Sequence, residues 1–297
     1  MFLKGIFIFV LMLGLIVETA HLTTRENVTH FNDTQTTRPV FKCSTMDFPF
    51  VVCIAESFRK KFEIKCAGTL ISSYWVMTTA ACILNTRRLT VFAGFSSPQG
   101  PLVRIAARKF NHPRFIPNTY ENDIGVIMLA SPMPLSEYID FARLPLRQLS
   151  VEYERDICNS TLLMGWSYTR SRKSKSDLPK LINLQCSTFR VLPYEQCIGQ
   201  VKNINPTQMC SIITNEEDVC QGDSGGPLLC GAIVMGVVNS GISCGYGKYS
   251  AVYTRLDTHI NYITNIMSIH SFSSRLLLAN SAAIISIVLN SVIFMFM

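Results

Sequence analysis

An all-β sandwich or barrel followed by one C-terminal helix is the fold class that this 297-residue sequence predicts. Three observations predict it. Short apolar runs recur through the middle of the chain, each broken by turn residues. A helical spacing of apolar residues emerges only near the end. Eleven cysteines lie scattered with no Cys-x-x-Cys pair, which favours a disulfide framework over a zinc site, and their odd number leaves at least one unpaired. With 48% hydrophobic and 16% charged residues, the composition excludes a disordered chain. The length leaves room for one large domain or two smaller ones around a sizeable core.

In chain order, Lys4 precedes the apolar run Gly5 to Val17, so residues 1–20 read as a secretory signal peptide cut near Ala20. Residues 21–42 are polar and without periodicity, and read as an extended lead. Asn27-Val28-Thr29 and Asn32-Asp33-Thr34 in that lead, and Asn159-Ser160-Thr161 further on, are glycosylation sequons. The β rhythm occupies residues 43–270, with Phe50-Val51-Val52, Leu89-Thr90-Val91-Phe92, Ile124 to Leu129 and Gly231 to Val238 as examples. Arg170-Ser171-Arg172-Lys173-Ser174-Lys175 reads as a solvated basic loop. The net charge of +7 comes without basic–aromatic interleaving, so no nucleic-acid partner is expected.

Within Tyr253 to Ile269, Leu256, Ile260, Ile263 and Met267 share a helical spacing. Residues 271–297 form the hydrophobic tail, in which Leu276 to Met297 gives 22 residues without a charge, long enough to cross a bilayer. Ser271, Ser273 and Ser274 just before it favour a GPI-attachment signal over a spanning helix, and either over a buried core helix.

The chemistry centres on Cys220-Gln221-Gly222-Asp223-Ser224-Gly225-Gly226-Pro227. A serine nucleophile flanked by glycines fits that spacing: Gly222 and Ser224 can turn their N–H groups toward a developing oxyanion, since Gly222 has no Cβ in the way. Gly225, Gly226 and Pro227 then lead into a strand, Leu228-Leu229-Cys230. Trp75-Val76-Met77-Thr78-Thr79-Ala80-Ala81-Cys82, Asn122-Asp123-Ile124 after His112-Pro113, Gly165-Trp166-Ser167 and Val252-Tyr253-Thr254-Arg255 accompany it. Together these stretches resemble the chymotrypsin/trypsin-like serine proteases over residues 43 to about 269.

The resemblance implies two six-stranded antiparallel barrels with a C-terminal helix. It implies the bridges Cys43–Cys186, Cys66–Cys82, Cys158–Cys230, Cys197–Cys210 and Cys220–Cys244, which leave Cys53 as a buried free thiol. It gives Ser224 the nucleophile's place and Asp123 that of the orienting acid. Gly222 and Ser224 take the oxyanion hole, and Asp218 the floor of the substrate pocket. No cofactor or metal is implied.

The departures decide the functional reading. Serine attacks an amide only if a base takes its proton, and the position that should carry histidine is Ala81. None of the five histidines falls in a motif that would replace it. The family also cuts its chain before an Ile-Val-Gly-Gly-like terminus, whose amine pairs with the aspartate before the serine. Here Thr37-Arg38-Pro39-Val40 stands in that place after Thr36, so Asp223 lacks its usual partner. Ala251 replaces a glycine of the pocket wall, and Asn239-Ser240-Gly241 replaces the Ser-Trp-Gly edge. The expected function is therefore that of an inactive homologue held at the cell surface, binding a protein partner as a docking or adhesion module. The alternatives are a decoy for substrates or inhibitors of active trypsin-like proteases, and an endopeptidase with an unorthodox base.

Overall fold

The computed structural model describes residues 41–58, 61–146, 161–166, 184–192, 194–199, 201–211, 224–239 and 251–271, all within the unit Gln35–Met297. The signal peptide, the lead up to residue 40, the sequon asparagines Asn27, Asn32 and Asn159, the basic loop, Asp218, Gly222, Asp223, Cys158, Cys220, Cys244 and the tail beyond Ser271 lie outside the described residues.

Six strands close into an antiparallel barrel: β2 (Val51–Phe58), β3 (Lys61–Ser72), β4 (Trp75–Thr78), β5 (Leu89–Ala93), β6 (Leu102–Asn111) and β7 (Gly125–Leu129), in the order β2-β3-β4-β7-β6-β5. The remaining strands are β1 (Phe41–Lys42), β8 (Thr161–Gly165), β9 (Gln185–Phe189), β10 (Val191–Leu192), β11 (Gln208–Ser211), β12 (Pro227–Cys230), β13 (Ile233–Val238) and β14 (Ala251–Arg255). They form one sheet in the order β1-β9-β8-β12-β13-β14-β11-β10. Its two edge strands hold two residues each, so the body of the sheet is six strands, as in the barrel. The all-β expectation with a C-terminal helix holds; one six-stranded barrel is closed as expected, while the second half of the domain is a single eight-stranded sheet.

The run Val51-Val52-Cys53-Ile54-Ala55 does not alternate with polar residues because both faces of β2 are buried. Val52 and Ile54 point into the barrel with Leu70, Val76, Val91 and Ile127. Val51, Cys53 and Ala55 point outward and join Trp75, Met77, Phe92 and Val126 in a second core, shared with Leu162, Met164, Trp166, Leu229 and Val237 of the sheet. Trp166, 1% exposed, ties the two together: its Nε1–H donates to the Val52 carbonyl at 3.0 Å and its ring lies 4.4 Å from that of Phe95.

A helix over residues 260–271 completes this second core. Ile263 is fully buried in it, while Tyr262, Ile266 and Met267 pack against its edge. The apolar spacing traced from Leu256 overstates the helix by one turn. Tyr253 and Thr254 pair with both β11 and β13, and ladder pairing fixes the backbone there as strand.

Three of the implied disulfides are present: Cys43–Cys186, Cys66–Cys82 and Cys197–Cys210. Cys230 is also disulfide-bonded. Cys53 is free and buried, and burial pushes its thiol up to about 12. A thiolate is the reactive form, so native protein at pH 8 should not be alkylated at Cys53, and one thiol should appear after unfolding. Peptide mapping that finds native Cys53 alkylated, or in a bridge, would contradict this arrangement.

Candidate active site

Ala81 and Asp123 come from the barrel, while Ser224, Asn239 and Thr254 come from the sheet. The short helix Ala80–Ile83 follows directly on β4 and is capped by Thr79, whose side chain accepts from the Cys82 N–H at 3.3 Å. Asp123, 0% exposed, adds a carboxylate to the same helix start, accepting the Ala81 N–H at 2.8 Å. A carboxylate suits this place because the first N–H groups of a helix have no partner within it. The half-buried Ala81 offers only a methyl group here, so no side chain at this position can take a proton from Ser224.

Ser224 sits in the turn that leads into β12. Its carbonyl accepts the Ala67 N–H of β3 at 3.0 Å, which fixes the turn to the barrel. Its hydroxyl donates to the carbonyl of Asn239 at 3.3 Å. Gly225 follows with φ +83°, and a Cβ there would lie 2.5 Å from the Ala67 carbonyl and closer still to Thr78 Oγ1. This glycine is required both by its backbone conformation and by the close approach of the turn to β3 and β4.

A polar network that the sequence does not announce lies between Asp123 and Asn239. Thr254 Oγ1 is 3.0 Å from the Asp123 carbonyl and 2.6 Å from Asn239 Oδ1, and Asn239 Nδ2 is buried with no partner among the described residues. One hydroxyl proton cannot serve two acceptors. With the Asn239 amide turned over, its NH₂ donates to Thr254 Oγ1, and the hydroxyl proton goes to the Asp123 carbonyl. The signal in the sequence is Asn239 where the family stretch has serine, beside Thr254 in the Val252-Tyr253-Thr254-Arg255 match.

Asp123 is placed by its neighbour. Asn122 takes φ +52°, a left-handed conformation that asparagine tolerates. Its Nδ2 donates to the Arg114 carbonyl at 3.0 Å, and its Oδ1 meets Nε2 of His259 at 3.1 Å. His259 Nδ1 lies 2.7 Å from the Arg255 carbonyl, and the ring stands edge-on to His112 at 5.2 Å. His112 also packs against Tyr262 of the C-terminal helix at 4.7 Å. Burial, then the nearby His259 and Arg114, push His112 down to about 4. Burial lowers His259 as well, opposed by its bond to the Arg255 carbonyl and by Asp257.

Both folded-state values lie below the unfolded value near 6.5, so between them the unfolded chain binds more protons. The stability these rings contribute is complete above pH 6.5 and is lost as the pH falls below it, toward 4 for His112. A loss of about 2–3 kcal/mol over that interval is expected for His112. Thermal unfolding followed from pH 7 to pH 4 should show it, and His112→Phe should flatten the slope. An unchanged slope in that variant would place the acid sensitivity elsewhere.

Of the residues the sequence singles out, Ala81, Asp123 and Ser224 stand at this junction of barrel and sheet. Ala251 is fully buried at the start of β14, opposite Ser211. Gly222, Asp223 and Asp218 are outside the described residues. No group of His, Cys, Asp or Glu that could hold a metal ion occurs among the described residues.

The family model for trypsin matches residues 40–263. Pig (Sus scrofa) trypsin is 32% identical over 232 residues, covering 75% of this chain and 92% of that protein. Chicken (Gallus gallus) trypsin I-P1 is 29% identical, covering 77% and 88%. Rabbit (Oryctolagus cuniculus) vitamin K-dependent protein C is 28% identical, covering 73% of this chain and 49% of that one. With a barrel and sheet joined at Ala81, Asp123 and Ser224 and a match over this span, the chain belongs to the trypsin family of serine protease homologues.

Proposed function

We propose that this protein is a catalytically inactive member of its family, carried through the secretory pathway and anchored at the cell surface, where it binds a protein partner as a docking or adhesion module. One observation carries the reading. The position that should supply the base holds the methyl group of Ala81, while the Asp123 carboxylate accepts the Ala81 N–H and the Ser224 hydroxyl donates to a backbone carbonyl. Removing the equivalent histidine from subtilisin costs about a million-fold in turnover. The missing amine partner for Asp223 argues in the same direction. Glycans at Asn27, Asn32 and Asn159 would leave the folded domain soluble and exposed on that surface.

A fluorophosphonate probe tests the inactivity. The full chain purified from cells should remain unlabelled at Ser224 while pig trypsin is labelled fully. Rapid labelling would support the endopeptidase reading. The decoy reading is favoured by Asp218 at the pocket-floor position and opposed by the buried Ala251 methyl in the wall; binding of a Lys- or Arg-presenting inhibitor without cleavage would support it. Among the described residues no helix is long and apolar enough to cross a membrane, and the apolar tail lies outside them. Phosphatidylinositol-specific phospholipase C should release the protein from intact cells. A mature product that retains Asn290 to Met297 would instead make the tail a spanning helix.

A further inference from the structure

The outward faces of the barrel are covered on two sides and open between them. On β5, Phe92 is covered by Phe62 at 5.4 Å. On β4, β6 and β7, Trp75, Phe110 and Val126 belong to or border the core closed by the C-terminal helix. Between these covered regions, β6 turns Val103 and Ile105 outward at 42% and 62% exposure. Its inward partners Leu102 and Ala106 pack inside the barrel. Exposed apolar residues scattered singly need no explanation. These two are not scattered: they are consecutive outward positions of one strand, in line with Arg108 and Phe110 further along it.

The charge at this face has one sign. Arg108 and Arg88 are exposed. The outward positions Thr90 and Phe92, Val103, Ile105, Arg108 and Phe110, and Val126, Met128 and Ala130 include no acidic residue. The chain also leaves the domain at this face. His270, near the end of the C-terminal helix, stacks on Phe110 at 4.5 Å, and its Nδ1 lies 3.0 Å from Arg108 Nη1. From Ser271 to Leu276, where the uncharged tail begins, five Cα steps of about 3.8 Å span at most ~19 Å.

We propose that the outer face of β6, with Val103 and Ile105 running up to Arg88 and Arg108 at one end of the patch, is a docking surface for the head-group region of a phospholipid bilayer. The proposal rests on the reading that the tail anchors the chain. An anchor within a few residues of His270 holds this face close to the lipid, where two aliphatic side chains reach the acyl boundary and arginines meet phosphate oxygens. The domain then lies on the membrane by one side of its barrel instead of swinging freely on a tether.

The test uses the full chain, purified from mammalian cell membranes and reconstituted into phosphatidylcholine vesicles containing nitroxide-labelled lipid. Ile105→Cys and, as a control in the turn before β11, Lys202→Cys are labelled with a fluorophore; Cys53 is buried and stays unlabelled. Several-fold stronger quenching at 105 than at 202 is expected. Arg88→Glu with Arg108→Glu should weaken it while the protein still floats with the vesicles. Equal quenching at the two positions in vesicle-bound protein overturns the proposal and leaves the anchor intact. Protein that never floats with the vesicles overturns the anchoring reading and the docking proposal with it, and the two failures are read from different fractions of one experiment.

Discussion

Ala81→His alone is expected to leave the protein without measurable peptidase activity. The new imidazole would stand beside Asp123, whose Oδ1 already holds the backbone N–H of that residue at 2.8 Å. Ser224 would have to turn its hydroxyl from the Asn239 carbonyl toward the new base. Proton transfer could then occur, but in the proposed reading an oxyanion hole would also need the Gly222 and Ser224 N–H groups ordered by a cation beside Asp223. Losing one such donor costs about 100- to 1,000-fold. Thr37-Arg38-Pro39-Val40 cannot deliver that cation as a new terminus. Rebuilding residues 36–40 as Arg-Ile-Val-Gly-Gly and cutting after the arginine should be needed as well, with strong non-additivity between the two changes. Hydrolysis of Arg-containing fluorogenic peptides by the single, segment and combined variants measures this. Robust turnover by Ala81→His alone would show that the active loop is already formed.

Gly225→Ala should abolish secretion of folded protein or cost more than about 3 kcal/mol, because backbone strain and overpacking add at one position. The added methyl would press against a main-chain carbonyl, Ala67 O at 2.5 Å, which cannot swing aside as a flexible side chain would. Relief would pull Ser224 off β3 and break its 3.0 Å bond to the Ala67 N–H. Gly231→Ala is the control. Its φ is +56°, but nothing lies within 4 Å of the added carbon, so only the left-handed conformation is penalised, at about 1–2 kcal/mol. Similar unfolding temperatures for the two variants would show that the contact with Thr78 and Ala67 does not matter.

The site was legible where chemistry demands contiguous residues. The octet around Ser224 and the stretch from Trp75 to Cys82 each resemble a family motif within eight positions, so Ala81 is visible as a departure from that motif. The Thr254–Asn239–Asp123 network was not legible, because its members come from three distant segments and each has an innocent local reading. The same holds for His112 and His259, which no motif joins and which the packing of the C-terminal helix brings edge to edge. Leu256 misled for a physical reason: its spacing to Ile260 suits a helix, yet pairing with the neighbouring strands claims the backbone just before it. The buried run in β2 signalled a strand without showing that two separate cores would claim its alternate residues.

The helix over residues 260–271 covers a barrel whose last strand ends at Leu129, and that order of synthesis has a cost in the cell. Val126, Phe110 and Trp75 emerge from the ribosome roughly 140 to 190 residues before Ile263, which helps to shield them. At ~5–20 residues per second the interval is roughly 7–38 s, long compared with the collapse of a small chain. During it the barrel can pair its strands and close Cys66–Cys82 but must carry an uncovered aromatic face. Variants truncated before residue 260 are therefore expected to fold poorly and to expose that aromatic face, even though every strand of the barrel has been made; a low yield of folded protein relative to the full chain would show it.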